Sequence, residues 1–125
     1  MLQLLFIALG GAVGALGRFW VGSVLIRNPD HVIPLGTLTV NVLGSALMGV
    51  CYVLILEKAQ LPPEMRPLLM VGFLGAFTTF STFSLETLTM IQQGHMLAAV
   101  IYISLSVICC VAAAAAGCAL TRAVF

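Results

Sequence analysis

Four long apolar segments, separated by short polar stretches, constrain this chain of 125 residues more than any other feature. A helix needs about 20 apolar residues to cross the hydrocarbon core of a bilayer, and each segment is that long. Only 7% of the residues are charged, whereas soluble domains carry roughly 25%. The sequence therefore predicts an all-α integral membrane protein whose single domain has four transmembrane helices, at about residues 2–26, 34–56, 68–92 and 96–119.

Several classes of function find no support in the residues. The net charge is only +1, and the sequence has no basic patch that would indicate binding of nucleic acid. The spans hold no nucleophile–base pair, paired carboxylates or phosphate-binding loop, and we expect no enzyme. The cysteines lie in apolar stretches without metal-ligand spacing, which favours small packed residues over a metal or redox site. We also expect the first segment to be retained as a span, because it lacks the basic start of a cleaved signal.

The third segment contains an unusual stretch, residues 72–83 (GFLGAFTTFSTF). It combines two glycines, four phenylalanines and four hydroxyl residues, where a simple span would use Leu, Ile and Val. Hydroxyl side chains compete for backbone hydrogen bonds, and glycine leaves the backbone uncovered. Non-helical backbone at membrane depth persists only where protein buries it or where it lines a cavity. We therefore predict that the third helix is broken mid-membrane, between Gly75 and Phe80, and that this break is the functional centre.

Two polar side chains fall within the first two spans. Arg18 follows a face formed by Gly10, Gly14 and Gly17, which would let another helix approach closely. It either faces protein or water inside the membrane or extends to the membrane surface, and the sequence leaves both open. Asn41 lies on a small and polar stripe of the second span. It serves either as a hydrogen bond between helices or as part of a pathway, and we favour the pathway.

The spans offer hydrogen-bond donors almost without charge. Hydroxyls, the Asn41 amide and the positive edges of phenylalanine rings all suit a small anion, which accepts strong hydrogen bonds. A broken helix adds the free N–H groups of one half and the free carbonyls of the other, which could hold a cation. Spacing alone leaves open that the phenylalanines only pack a core. Glu86 is the one acidic residue within a predicted span, which argues against proton-coupled transport.

Charged residues are distributed almost evenly between the two sides of the membrane. Lys58, Arg66 and Arg122 fall on the side of the termini, and Arg27, with Arg18 near it, falls on the other. This is a weak orientation signal, because topology follows the excess of Lys and Arg on one side. The chain can therefore insert in both orientations and form an antiparallel, dual-topology homodimer.

Three blocks of the sequence, taken together, resemble a known family. Residues 10–20 (GGAVGALGRFW), 34–49 (PLGTLTVNVLGSALMG) and 72–86 (GFLGAFTTFSTFSLE) are similar to the signature blocks of the Fluc, or CrcB-type, fluoride channels. The resemblance implies a dual-topology homodimer with two pores in the bacterial inner membrane, which conducts fluoride passively and lets the cell expel it. The chain departs from the family at Ala76, where a glycine is often found, and at Phe77, where Leu or Val is common.

The resemblance also implies roles for individual residues. A structural sodium ion would be held by the backbone carbonyls of Gly75 and Thr78 from each subunit. Arg18 would lie near a pore vestibule, and Glu86 fits the acidic position that follows the phenylalanines. The residues implied to line the fluoride pore are Asn41, Phe80, Phe83, Ser81, Thr82, Tyr102 and Ser106.

Two other readings compete with the fluoride channel. A small dual-topology multidrug transporter has a similar length and number of spans, but it needs a glutamate in the first helix, which has none. A non-conducting membrane subunit that only packs against partners would tolerate changes at Asn41, Phe80 and Phe83. Measurement of anion flux separates both from a fluoride channel.

Overall fold

The protein is described by a computed structural model over residues 1–26 and 31–125. Arg27, which the sequence places on the side of the membrane opposite the termini, lies outside this part of the chain. Within the described residues every regular element is helical. The elements are α1 (Leu2–Phe19) with a π-helical extension (Trp20–Leu25), α2 (Leu35–Cys51) with a π-helical extension (Tyr52–Glu57), a π-helical stretch (Pro67–Leu74) that leads into α3 (Gly75–Phe77), α4 (Phe80–Gln92) and α5 (Met96–Val124).

Among the described residues, four segments are long and apolar enough to cross a membrane: span 1 (Leu2–Leu25), span 2 (Leu35–Glu57), span 3 (Pro67–Gln92) and span 4 (Met96–Val124). Span 4 continues past its predicted end at residue 119. Its last turns are held by the Thr121 hydroxyl, which donates to the Gly117 carbonyl, and by Arg122, which forms a two-pronged ion pair with Glu57 at 2.8 and 2.7 Å. The polar residues near the C-terminus therefore belong to the helix.

Span 1 packs closely against the first half of span 3, because glycines line the contact. Gly10 and Gly14 are buried, and a Cβ added at Gly14 would overlap the backbone carbonyl of Phe73. On the span 3 side of the contact, a Cβ added at Gly72 would lie 2.8 Å from the Ile7 carbonyl oxygen and 3.1 Å from the Gly10 Cα. Small residues let backbones approach in this way, and close packing is what stabilises helix contacts in lipid.

Span 2 packs against span 4 in the same way, with glycines at the contact. A Cβ at Gly49 would overlap the Ala114 carbonyl, and one at Gly117 would overlap the Ala46 carbonyl. Both glycines are buried. The two glycine contacts, between spans 1 and 3 and between spans 2 and 4, fix the positions of the helices that surround the interruption of span 3.

The turn between α4 and α5 depends on a glycine with left-handed backbone. Gly94 has φ +82°, and its N–H donates to the Ile91 carbonyl, while the His95 N–H donates to the Met90 carbonyl. These bonds satisfy carbonyls left free at the end of α4. The chain therefore reverses within three residues, which places α5 beside α4.

Candidate functional site

The helical backbone of span 3 is interrupted at Thr78 and Thr79. Helix α3 ends at Phe77 and α4 begins at Phe80, and the two threonines between them are extended, with ψ of 160° and 123°. The Thr78 N–H and hydroxyl both donate to the Leu74 carbonyl, at 3.1 and 2.9 Å, in the last helical turn before the interruption. The Thr79 hydroxyl accepts from the Thr82 N–H at 3.2 Å and so caps α4.

Asn41 of span 2 binds the backbone of this interruption through both ends of its amide. Its Nδ2 donates to the Thr79 carbonyl at 3.0 Å, and its Oδ1 accepts from the Thr79 N–H at 2.8 Å. The pair replaces the two helical hydrogen bonds that an extended residue cannot make. The amide nitrogen carries two hydrogens and uses one of them for Thr79, so the second is available to a ligand.

Arg18 of α1 binds the other side of the interruption. Its Nε donates to the Ala76 carbonyl at 3.0 Å, in a partly buried position. A cation at the C-terminal end of a helix is favourable, because free carbonyls concentrate partial negative charge there. Of the two positions considered from sequence, a contact with protein is the one observed.

A cavity of about 430 Å³ lies next to the interruption, between spans 2, 3 and 4. It is mainly apolar, and its polar groups are uncharged. The Ser106 hydroxyl is on its wall; Ser106 is only 8% exposed, and its Oγ has no hydrogen-bond partner. A buried hydroxyl without a partner is costly unless a ligand or water satisfies it. The residues that line the cavity are Asn41, Gly44, Ser45, Met48, Thr78, Thr79, Phe80, Phe83, Ser106, Val107, Cys110, Val111 and Ala114.

The two phenylalanines at this cavity differ in burial. Phe80 is 78% exposed, whereas Phe83 is partly buried. Their ring centroids lie 5.4 Å apart with the planes tilted by 49°, and Phe83 in turn lies 5.1 Å from the Tyr102 ring. Tilted rings turn the positive edge of one toward the negative face of the next. The large exposure of Phe80 is unfavourable in water and indicates a surface that lipid or protein covers.

The structure brings together four of the residues predicted for the pore and separates three from them. Asn41, Phe80, Phe83 and Ser106 line the cavity, whereas Ser81, Thr82 and Tyr102 do not. The Ser81 hydroxyl contacts that of Thr79 at 3.4 Å, and Thr82 contributes the capping N–H already described. These two residues therefore support the start of α4.

Tyr102 lies on the far side of Phe83, in a cluster with Met90 and Ala99. Its side chain is fully buried, and its hydroxyl donates to Glu86 Oε1 at 3.1 Å. Thr37 of span 2 lies close enough to both side chains to interact with them electrostatically. The three residues form a polar connection between spans 2, 3 and 4 beside the cavity.

The backbone carbonyls implied to hold sodium lie at the end of α3. Gly75 is exposed and lies between Leu74 and Ala76, whose carbonyls accept from Thr78 and Arg18. Carbonyl oxygens at a helix C-terminus are hard donors that carry partial negative charge, and such ends coordinate alkali cations in transporters. The donor set fits a sodium ion. Among the described residues, no group of His, Cys, Asp or Glu side chains could hold a metal.

Sequence reasoning missed the partners of two of the functional residues. It did not assign Thr79 to Asn41 or Ala76 to Arg18. A signal for Thr79 was present, since a threonine three residues before Thr82 is a typical helix cap. No signal identified Ala76, because its contribution is a backbone carbonyl.

The chain is similar to a known family over nearly its whole length. The family model described as "CrcB-like protein, Camphor Resistance (CrcB)" matches residues 5–118. A protein named "Fluoride-specific ion channel FluC" from Hahella chejuensis is 48% identical over 120 residues, which cover 96% of this chain and 94% of that protein.

Two further relatives carry the same name. The protein from Saccharophagus degradans is 51% identical over 118 residues, covering 94% of this chain and 88% of the relative. The protein from Rhizobium etli is 44% identical over 123 residues, covering 98% of each. The similarity therefore includes all four spans and the cavity.

Proposed function

This chain belongs to the CrcB family, and from this premise we propose that it is a passive, fluoride-selective ion channel. Its relatives are named for fluoride, and its four apolar spans suit a protein that acts within a membrane. The proposal assigns the cavity beside the interruption of span 3 to the fluoride pathway. Ser81, Thr82 and Tyr102 act on this pathway through their contacts with Thr79, α4 and Phe83.

The observation that carries the proposal is the unpartnered Ser106 hydroxyl in a cavity that also presents the Asn41 amide. Both groups are uncharged donors, and both lie within apolar spans. A small anion that has lost water needs strong hydrogen bonds in return, and a buried hydroxyl without a partner supplies one. The site offers an anion these bonds without a fixed cation that would trap it.

The aromatic rings add selectivity to this donor set. Phe80 and Phe83 flank the cavity, and the positive edges of their rings can face an anion. Fluoride is smaller than chloride and accepts stronger hydrogen bonds, so the same few donors compensate its dehydration better. Exclusion of chloride then follows from the small number of donors, which compensate the dehydration of chloride less well.

In the assembled channel, two chains pack in opposite orientations and the dimer has two pores. The weak charge bias favours insertion both ways. The exposed Phe80 ring and the exposed Gly75 backbone are the surfaces that the second copy covers. Sodium then binds between the copies, to the Gly75 and Thr78 carbonyls of each.

Sodium has a structural role in this proposal. It neutralises carbonyl ends that two interrupted helices bring together, and it carries none of the fluoride current. Removal of sodium during purification is expected to dissociate the dimer or impair fluoride conduction, as measured by cross-linking and by flux. Sodium-independent assembly and flux would remove the site while leaving the channel assignment in place.

The cellular role follows from the chemistry of hydrogen fluoride. The neutral acid enters cells and dissociates at neutral pH, so fluoride accumulates inside. A passive channel in the bacterial cytoplasmic membrane lets it leave, which lowers fluoride toxicity. Arg18 lies at the end of α3 and contributes positive potential near the pathway.

The experiment that tests the function is anion efflux from liposomes that contain the purified protein. A fluoride electrode is compared with a chloride electrode under matched gradients, and protein-free liposomes give the background. We expect rapid release of fluoride without release of chloride. Absence of fluoride release from a monodisperse, folded protein would contradict the channel and favour a subunit that only packs against partners.

A further inference from the structure

Cys110 is placed differently from its neighbour Cys109, although both lie in α5 and both are partly buried. Cys110 lines the cavity beside the interruption of span 3, and Cys109 does not. Adjacent residues of a helix point about 100° apart, so two identical thiols face different surroundings. The sequence alone assigned all four cysteines to packing.

The surroundings of Cys110 indicate that its cavity receives a polar ligand. Ser106 lies one helical turn before Cys110 on the same wall, is more than nine-tenths buried, and has no partner for its hydroxyl. Asn41 lines the same cavity from span 2, and one of its two amide hydrogens is not used in the bond to Thr79. A ligand that reaches Ser106 passes within one turn of the Cys110 sulfur.

We propose that Cys110 is a modification site on the wall of the conducting cavity, where small thiol-specific electrophiles and soft cations such as Ag⁺ bind and block conduction. The proposal rests on the proposed function, since it takes this cavity as the fluoride pathway. Thiolates are nucleophiles and soft metal ligands, and reaction follows their access to water. The block is local, because a group added to Cys110 lies one helical turn from Ser106 in the same cavity and keeps the ion from the Ser106 hydroxyl.

With methyl methanethiosulfonate the reaction is a simple exchange. The Cys110 thiol loses its proton to water, and the thiolate sulfur attacks the sulfenyl sulfur of the reagent. A disulfide forms between Cys110 and the methylthio group, the sulfur–sulfonyl bond breaks, and methanesulfinate leaves with the electron pair. A small dithiol reverses the modification by thiol–disulfide exchange.

The test uses the full-length protein in liposomes, with Cys110→Ala and Cys109→Ala as a matched pair and Cys110→Ser as a second variant. Fluoride efflux is measured before reagent, after methyl methanethiosulfonate and after reduction by dithiothreitol. Mass spectrometry of the digested protein reports which cysteine carries the methylthio group. Ag⁺, a smaller probe, is applied in parallel.

We expect the native chain and Cys109→Ala to lose most of their fluoride efflux and to recover it on reduction, whereas both Cys110 variants stay insensitive. Modification of Cys110 without loss of flux would overturn the proposal, and so would an undiminished block of the Cys110 variants. Failure of both reagents to reach Cys110 in a conducting protein would overturn it as well. Absence of efflux before any reagent is a separate result that contradicts the channel, and labelling of Cys110 over Cys109 still reports on access to the cavity.

Discussion

The two halves of span 3 are held in place by different forces. The first half, residues 67–77, packs against span 1 with glycines on both sides of the contact, and its Gly72, Leu74 and Phe77 are buried. The second half, α4, leaves Phe80 78% exposed and buries only Thr87 and Met90. The two halves also differ in composition, because residues 67–77 carry no polar side chain, whereas 7 of the 13 residues of α4 are polar or charged.

The second half is positioned mainly by hydrogen bonds. Asn41 holds Thr79 where α4 begins, and Tyr102 holds Glu86 farther along α4. Close backbone packing tolerates no added atom, whereas a hydrogen bond can be removed without a steric conflict. Changes in the first half should therefore prevent folding, and changes in the second half should alter conduction in a folded protein.

The largest expected effect is that of a side chain placed in the glycine contact. Gly14→Leu would push its Cβ into the Phe73 carbonyl, and we expect a loss of about 3 kcal/mol or more. Size-exclusion chromatography and thermal unfolding in detergent measure this. Gly11→Ala is the control, because a Cβ there would lie 3.9 Å from its nearest neighbour, the Gly72 carbonyl. Equal stability of the two variants would contradict packing as the force that holds the first half.

Asn41→Asp should affect flux more than stability. The carboxylate can still accept from the Thr79 N–H but cannot donate to its carbonyl, and it places a negative charge in the cavity. We expect fluoride efflux to fall to background, with a loss of about 1–3 kcal/mol from the unpaired carbonyl.

Ser45→Ala is the matched control for this change. Ser45 lines the same cavity on the same span, and no hydrogen bond joins it to Thr79. Its efflux should stay near that of the native chain. Native-like efflux of Asn41→Asp would show that Asn41 is neither a ligand nor a necessary support of the interruption.

Phe80→Ile should separate conduction from folding most cleanly. Because isoleucine keeps an apolar side chain at this surface, the change costs little stability, but it removes the positive ring edge from the cavity wall. We expect loss of most fluoride efflux with an unchanged unfolding temperature. Leu85→Ile, an exposed position on α4 outside the cavity, should conduct normally. If both variants conduct alike, Phe80 serves only as a contact surface.

The sequence predicted the number of spans because hydropathy and length together determine which segments can cross a bilayer. It also predicted that Gly10 and Gly14 face another helix, since their spacing follows the helical repeat. It could not predict which helix they meet. The contacts of Arg18 and Asn41 could not be predicted either, because both side chains bind backbone groups of the interruption. Every residue has the same backbone groups, so composition and periodicity do not indicate which of them is bound.

The smallest expected effect tests the polar connection beside the cavity. Tyr102→Phe keeps the ring that packs on Phe83 and removes only the hydroxyl that donates to Glu86, so the cost should be about 1 kcal/mol. Because Tyr102 does not line the cavity, fluoride efflux should fall only partially, through a shift of α4. Glu86→Gln keeps an acceptor for the same hydroxyl and should conduct better than Tyr102→Phe. A complete loss of efflux in Tyr102→Phe with unchanged stability would instead place the tyrosine hydroxyl directly in the ion pathway. Two surfaces of α4, one at the cavity and one at Tyr102, would then line that pathway.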